Sequence, residues 1–137
     1  VQLGRRFRAL KIWFLLRAYG LEGLRGRIRN HVAWTLNLAE KLDAEPDFEI
    51  TSDPVLALFS FRFAPPGYNG DLDALNRDLV NAINDDGRIY LTQTLHGAKQ
   101  VIRFTAGPFE MQEQDAQIAF DAICETARSL LAQKETR

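Results

Sequence analysis

"GRRFRALKIWFLLRAYG" occupies residues 4–20. From Ala9 to Leu16 only Lys11 interrupts the apolar run. The pattern predicts a helix over 5–19. A helix that is apolar on nearly all sides is buried on more than one face. The core run of eight residues is far short of the roughly 20 needed to span a bilayer. Protein, not lipid, is therefore the expected cover, and Phe7, Trp13 and Phe14 are expected inside it. Gly20 fits the stop of this helix.

A second helix is expected over 21–42. Leu24, Ile28, Val32, Leu36 and Leu38 or Ala39 recur at helical spacing, with Arg25 and Arg29 beside that stripe. Gly23 and Gly26 weaken its first turns, and Pro46 in "DAEPD" (43–47) prevents continuation. Phe48–Thr51 reads as a short strand ended by Pro54. "VLALFSFRF" (55–63) alternates, placing Val55, Ala57, Phe59, Phe61 and Phe63 on one face. "APPGYNGD" (64–71) reads as a loop, with Asp71 capping a helix over 72–84 that buries Leu72, Leu75, Leu79 and Ile83. Two strands, 88–94 and 99–106, flank a hairpin turn at "LHGA". A last helix over 112–132 turns Ile118, Ala119, Ala122, Ile123 and Leu130 inward. The order α-α-β-β-α-β-β-α implies an α+β fold, a mostly antiparallel sheet with helices on one side.

The 137 residues fit one domain or a large piece of one, and their 46% hydrophobic and 26% charged content is that of a globular protein. The net charge of −1 is unevenly spread. Residues 1–29 hold eight basic side chains against the single acid Glu22. Such a basic end suits nucleic acid, a membrane surface, an anionic ligand or an internal ion-pairing face. Nucleic-acid binding wants exposed aromatics among the basic residues, and here they fall inside the apolar run. A single cysteine, Cys124, excludes an internal disulfide or a thiolate zinc site and is compatible with the cytosol. It reads as a small buried hydrophobe. No signal peptide is evident. The start at Val1, not Met, suggests a piece of a longer chain.

His31 and His96 are the only histidines, and neither has carboxylates or cysteines at ligand spacing, so no metal is expected. GxGxxG, P-loop and GxSxG motifs are absent. Gly4, Arg5 and Arg6 at a helix start either favour an anion or pair with acids elsewhere.

The stretch "LGRRFRALKIWFLLRAYGLEGLRGRIRNHV" (3–32) resembles the pyridoxal-phosphate-dependent group II amino-acid decarboxylases, especially the aromatic-L-amino-acid branch. R-R-F-R-x-L-K-x-W-F followed by Y-G-x-x-G-L carries the likeness. "PDFEI" (46–50), "FSFRF" (59–63), "LNRDLVNAINDDGRIYLTQT" (75–94) and "VIRFTAG" (101–107) extend it in order. The resemblance implies the C-terminal part of a cytoplasmic homodimer. Residues 1–42 would be the end of the catalytic loop and connecting helices. Residues 43–137 would be the small α+β domain of the aspartate-aminotransferase-like fold.

In the family, pyridoxal phosphate absorbs the charge left when CO₂ departs. The family's cofactor lysine lies in an Asn-Pro-His-Lys context. Lys11, Lys41, Lys99 and Lys134 do not match it, so no catalytic residue is expected here and the piece alone should be inactive. By resemblance, Leu3 and Gly4 shape the substrate pocket. Glycine at position 4 leaves room for a ring such as that of DOPA, tryptophan or phenylalanine. Arg5 and Arg6 anchor the loop end or domain contacts. His31 matches a family histidine without a defined role. The implied partners are the rest of the parent chain, a second copy and the amino-acid substrate, with no nucleic acid and no membrane. Two alternatives stand beside this reading: a non-catalytic α+β ligand-sensing or oligomerisation module, and an aldehyde-forming variant within the family.

Overall fold

The computed structural model describes residues 7–135. The first element, α1 (Ala9–Asp43), is broken at Gly20, whose φ of 68° and ψ of 167° lie outside the helical region. The two expected helices thus meet at the expected glycine, a residue that adopts positive φ without a Cβ penalty. There follow β1 (Phe48–Val55), β2 (Leu58–Phe63), α2 (Leu72–Asp86), β3 (Thr92–His96), β4 (Lys99–Thr105) and α3 (Glu113–Glu135). The strands form one sheet in the order β1-β2-β4-β3, and every neighbouring pair is antiparallel. The fold is α+β, as the element order implies.

Three strand boundaries differ from expectation. Pro54 does not end β1. That strand is an edge, and its register shifts twice between Ile50 and Val55, so a residue without an N–H is tolerated there. The run 55–63 is not one strand. Leu56 turns the chain with φ of 54°, and β2 starts at Leu58, which faces Val55. The strand expected from residue 88 starts at Thr92 because Leu91 commits its N–H and C=O to Asn84. The "LHGA" hairpin is present, with Gly97 and Ala98 both at positive φ between His96 and Lys99. That is the signature of a type I′ turn.

Phe59, Phe61 and Phe63 are buried on one face of the sheet, as their alternation predicts, alongside Ile102 and Phe104. Leu38 and Leu42 of α1, Leu75, Leu79 and Ile83 of α2, and Ala119 and Ile123 of α3 join them in one cluster. All three helices therefore serve the same face. The inward faces of α1 and α3 are narrower than expected. Ile28, Leu36 and Ile118 are exposed, and Thr35, Leu38, Ala39 and Leu42 make the buried end of α1. Small or polar residues complete that face, so a stripe read from the large apolar residues is displaced.

The first half of α1 departs furthest. Trp13 is 53% exposed, Phe14 57% and Ile12 62%, and Phe7 is exposed as well. The described chain does not cover the helix that the sequence marks for burial.

α2 is held by its own side chains. Asp71 accepts from the Asp73 and Ala74 N–H groups at its start, and Gly87, with φ of 79°, closes its end. Asn76 is fully buried. Its Oδ1 accepts from the Phe63 N–H at 2.8 Å, and its Nδ2 donates to the Phe63 and Leu72 carbonyls, each at 2.8 Å. Unpaired buried polar groups cost about 1–3 kcal/mol each. Asn76→Ala strips both backbone groups of Phe63, and a loss of about 3 kcal/mol is expected from denaturant unfolding. An unchanged midpoint would show that the clamp is dispensable.

Candidate functional site

A cleft opens along α1 just after its break at Gly20. Arg27, the residue after Gly26, reaches from α1 to the segment before α3. Its Nη1 donates to the Phe109 carbonyl, and its guanidinium lies 3.9 Å from the Phe109 ring centroid. The Tyr19 ring meets that of Phe109 at 58° with centroids 4.6 Å apart, and lies 5.9 Å from the guanidinium carbon. A guanidinium over an aromatic face with its N–H groups engaged is a favourable, geometrically specific contact. It fixes the angle at which the helix leaves Gly20.

Beside this clamp lies a cleft of about 640 Å³, lined by Gly23, Gly26, Arg27 and Trp34 on α1 and by Glu110, Met111 and Gln112 opposite. A Cβ on Gly26 would meet nothing within 4 Å. The two glycines that weaken the helix in sequence terms thus leave one wall open and flat. A second, more apolar cleft of about 400 Å³ lies between Tyr90, Leu91, Phe104, Pro108, Met111 and Ile118.

Glu22, Arg27 and Glu110 line the first cleft and Arg88, Glu110 and Asp115 the second, but neither holds a lysine, histidine or cysteine. Lys11 is exposed. Lys41 donates to Gln117 at 2.6 Å, Lys99 faces Glu49 at 3.8 Å, and Lys134 pairs with Asp78 at 2.7 Å. No lysine lines the clefts described above. His31 packs its ring 5.7 Å from Trp34, and its Nε2 is buried without a hydrogen-bond partner in the described structure. His96 is exposed at the start of the second hairpin turn. Among the described residues no group of three or more His, Cys, Asp or Glu could hold a metal ion. No helix among them is long and apolar enough to cross a membrane.

Cys124 is buried, as expected. Burial, reinforced by the Glu45 carboxylate, pushes its thiol up to about 11. The thiolate is the reactive form. A disulfide reagent at pH 8 is therefore expected to label Cys124 at least tenfold more slowly in the folded protein than in denaturant; equal rates would contradict the burial. Because the folded value lies above the unfolded one, the stability this thiol confers is complete below about pH 9. It is lost as pH rises towards 11.

The four positions that the resemblance singles out, Leu3, Gly4, Arg5 and Arg6, lie outside the described residues. Sequence reasoning did not find the Arg27–Phe109–Tyr19 clamp, whose members are far apart in the chain. Nor did it find Asn76, although a carboxamide beside an apolar helix stripe is a legible sign of a buried hydrogen-bonding task. A third missed element is the pair formed by Arg62, which is buried, and Asp73, at 2.6 Å.

Comparison with known proteins supplies the class. The pyridoxal-dependent decarboxylase conserved domain matches residues 1–64. Tyrosine decarboxylase 2 of Narcissus pseudonarcissus is 36% identical over 133 residues, covering 96% of this chain and 27% of the relative. Phenylacetaldehyde synthase of Arabidopsis thaliana is 35% identical over 132 residues, with the same coverage. The crystal structure of Oryza sativa TDC with PLP and tryptamine superposes with a TM-score of 0.85 at 31% identity, over 95% of this chain and 28% of that one. Over nearly its whole length the chain is thus similar to pyridoxal-dependent decarboxylases, and the solved structures it resembles include a tryptophan decarboxylase of Catharanthus roseus. It spans about a quarter of the length of the curated relatives it matches.

Proposed function

We infer that this chain is the C-terminal part of a PLP-dependent decarboxylase that converts aromatic L-amino acids of the DOPA, tryptophan or phenylalanine type to amines and CO₂. One observation carries the reading. An apolar helix face is left bare at Ile12, Trp13 and Phe14, in a chain that matches decarboxylases over nearly all its own length and about a quarter of theirs. In this reading residues 1–42 are the end of the catalytic loop and the connecting helices. Residues 43–137 are the small domain of the aspartate-aminotransferase-like fold. The parent is a cytoplasmic homodimer.

The described residues do not fit pyridoxal phosphate as its principal holders. Three of the lysines have surface partners, the fourth is exposed, and none lines the clefts. The cofactor is assigned to the rest of the parent. No chemical step is routed through this segment, and the segment alone is inactive. Its contribution is shape: Leu3 and Gly4 border the substrate ring, Arg5 and Arg6 secure the loop end, and the small domain closes against the cofactor-bearing body.

The test is the full-length protein, purified, reconstituted with pyridoxal phosphate and assayed for CO₂ release on a panel of aromatic amino acids. Failure to bind the cofactor overturns the reading and favours a non-catalytic module. Likeness to a phenylacetaldehyde synthase favours a second reading, in which the product is an aldehyde. Product analysis separates amine from aldehyde.

Gly4→Ser in the full-length enzyme adds a hydroxymethyl group where the aromatic ring is placed. Small steric changes in such pockets shift kcat/KM by about 10–200-fold. The expected result is a fall of about tenfold for tryptophan relative to the smallest accepted substrate. Unchanged ratios across the panel contradict the assignment of Gly4. The 137-residue chain by itself is expected to self-associate through residues 9–16, since large bare apolar patches drive association; a monomer by light scattering contradicts that.

A further inference from the structure

The β1–β2 hairpin has an unusual tip. Val55 is 68% exposed and Leu56 73% exposed, so two large apolar side chains project where loops ordinarily carry polar residues or glycine. Leu56 also holds φ of 54°. A bulky residue at positive φ is a genuine outlier, since its Cβ crowds the backbone there. The second hairpin in the same sheet places Gly97 and only a small residue, Ala98, at its two positive-φ positions, with no large side chain at either. A strained leucine in solvent has neither a conformational nor a solubility advantage over glycine or asparagine. Its side chain makes sense at this position only if something covers it.

The topology indicates what does. Leu58 pairs with Thr105, and the Ala106 N–H donates to the Ala57 carbonyl at 3.0 Å, which sets the tip beside the end of β4. Three residues on, Phe109 is clamped by Arg27 and Tyr19 of α1. The tip thus lies at the end of the sheet where the bare first half of α1 departs. Along the same flank, Leu36 shares a cleft with Pro54, and Ile28 lies two turns nearer the break, exposed. These are members of the α1 stripe that the core leaves unused. The relatives hold about three-quarters of their length outside this segment, and under the proposed function that remainder precedes residue 1 and joins α1 at its bare end. A body tethered there meets the tip at high effective concentration.

We propose that the Val55–Leu56 hairpin tip is a second apolar anchor, beside the first half of α1, by which this domain docks onto the cofactor-bearing body of the same polypeptide. The assignment rests on the proposed function for the existence of that body. Docking places the strain of Leu56 where a buried side chain offsets it.

The experiment uses the full-length protein, and its cofactor absorbance reports the proposed function separately. Hydroxyl-radical footprinting compares Leu56 with Leu95, which is 68% exposed on β3 beside the other hairpin turn and serves as the internal reference. Leu56 is expected to be labelled at least fivefold less than Leu95; equal labelling overturns the proposal. Leu56→Gly relieves the backbone and removes the anchor. A lower melting midpoint is expected, whereas a rise or no change overturns docking. A benzophenone side chain at position 56 is expected to cross-link within one chain. Cross-links between two chains would assign the tip to the second subunit and overturn the proposal as stated.

Discussion

The fold depends on a backbone ladder that is finished by side chains. β2 and β4 pair from Leu58–Thr105 to Phe61–Ile102, and the pairing stops there. Two residues on, Phe63 would have an unpaired N–H and C=O in the core, where each unmade bond costs free energy comparable to a lost hydrogen bond. Asn76 takes both. On the β4 side the Gln100 N–H donates to Asp73, which also receives Arg62. The first turns of α2 therefore continue the β2–β4 seam. At the other end of α2, Asn84 does the same for Leu91, accepting from its N–H at 2.8 Å and donating to its carbonyl at 3.0 Å. Since β2 and β3 both run antiparallel to β4, they are parallel to each other, and α2 is the crossover between them. Two carboxamides pin that crossover at both ends, which fixes how Leu75, Leu79 and Ile83 meet the phenylalanine face.

The same constraint orients α1. Its buried end, from Thr35 to Leu42, lies on β1 and α3 because the sheet and α3 are already locked. The segment between β4 and α3 then presents Phe109 to Arg27 and Tyr19. Gly20 redirects the chain between Arg27 and Tyr19, and before Tyr19 every described residue of the helix is exposed. The helix has been aimed by the domain but not covered by it. Such an arrangement suits a connector whose cover is another part of a larger protein, in keeping with a family whose members extend well beyond this segment.

Much of this was legible in the sequence, because local signals agreed with the global fold. The period-2 run of phenylalanines, the Asp71 cap, the 75–79–83 stripe and the "LHGA" turn each fixed an element. Each depends on neighbours within a few residues. What escaped depends on distant partners. Leu91 left the strand because of Asn84, and Pro54 stayed in one because β1 is an edge. Ile28 and Leu36 look like core residues by spacing yet are exposed, while Thr35, which no apolar spacing marks, is buried beside the expected Leu38 and Ala39. The family was legible for a different reason: the 3–32 motif is specific as a string, independent of any contact. For the site itself, Leu3, Gly4, Arg5 and Arg6 are legible only through that string, since they carry no pattern of charge or periodicity with a single chemical meaning.

The distribution of reactive groups argues for the same division of labour. A catalytic segment concentrates perturbed titratable groups in a cleft. Here the perturbed groups are scattered and their shifts have structural causes. Arg88 is raised by its bonds to Asp86 and Glu125 on the surface, Asp71 and Asp86 are lowered by the groups they bond, and the Cys124 thiol is raised by burial. Each of these shifts favours the form that holds helices together or keeps a thiol inert. Against this quiet background, the features without an internal purpose are apolar: the bare half of α1, the unused Ile28 and Leu36, and a leucine held at positive φ. They sit towards one end of the domain. A segment whose polar chemistry is spent inside itself and whose surplus is hydrophobic surface is suited to packing against another body.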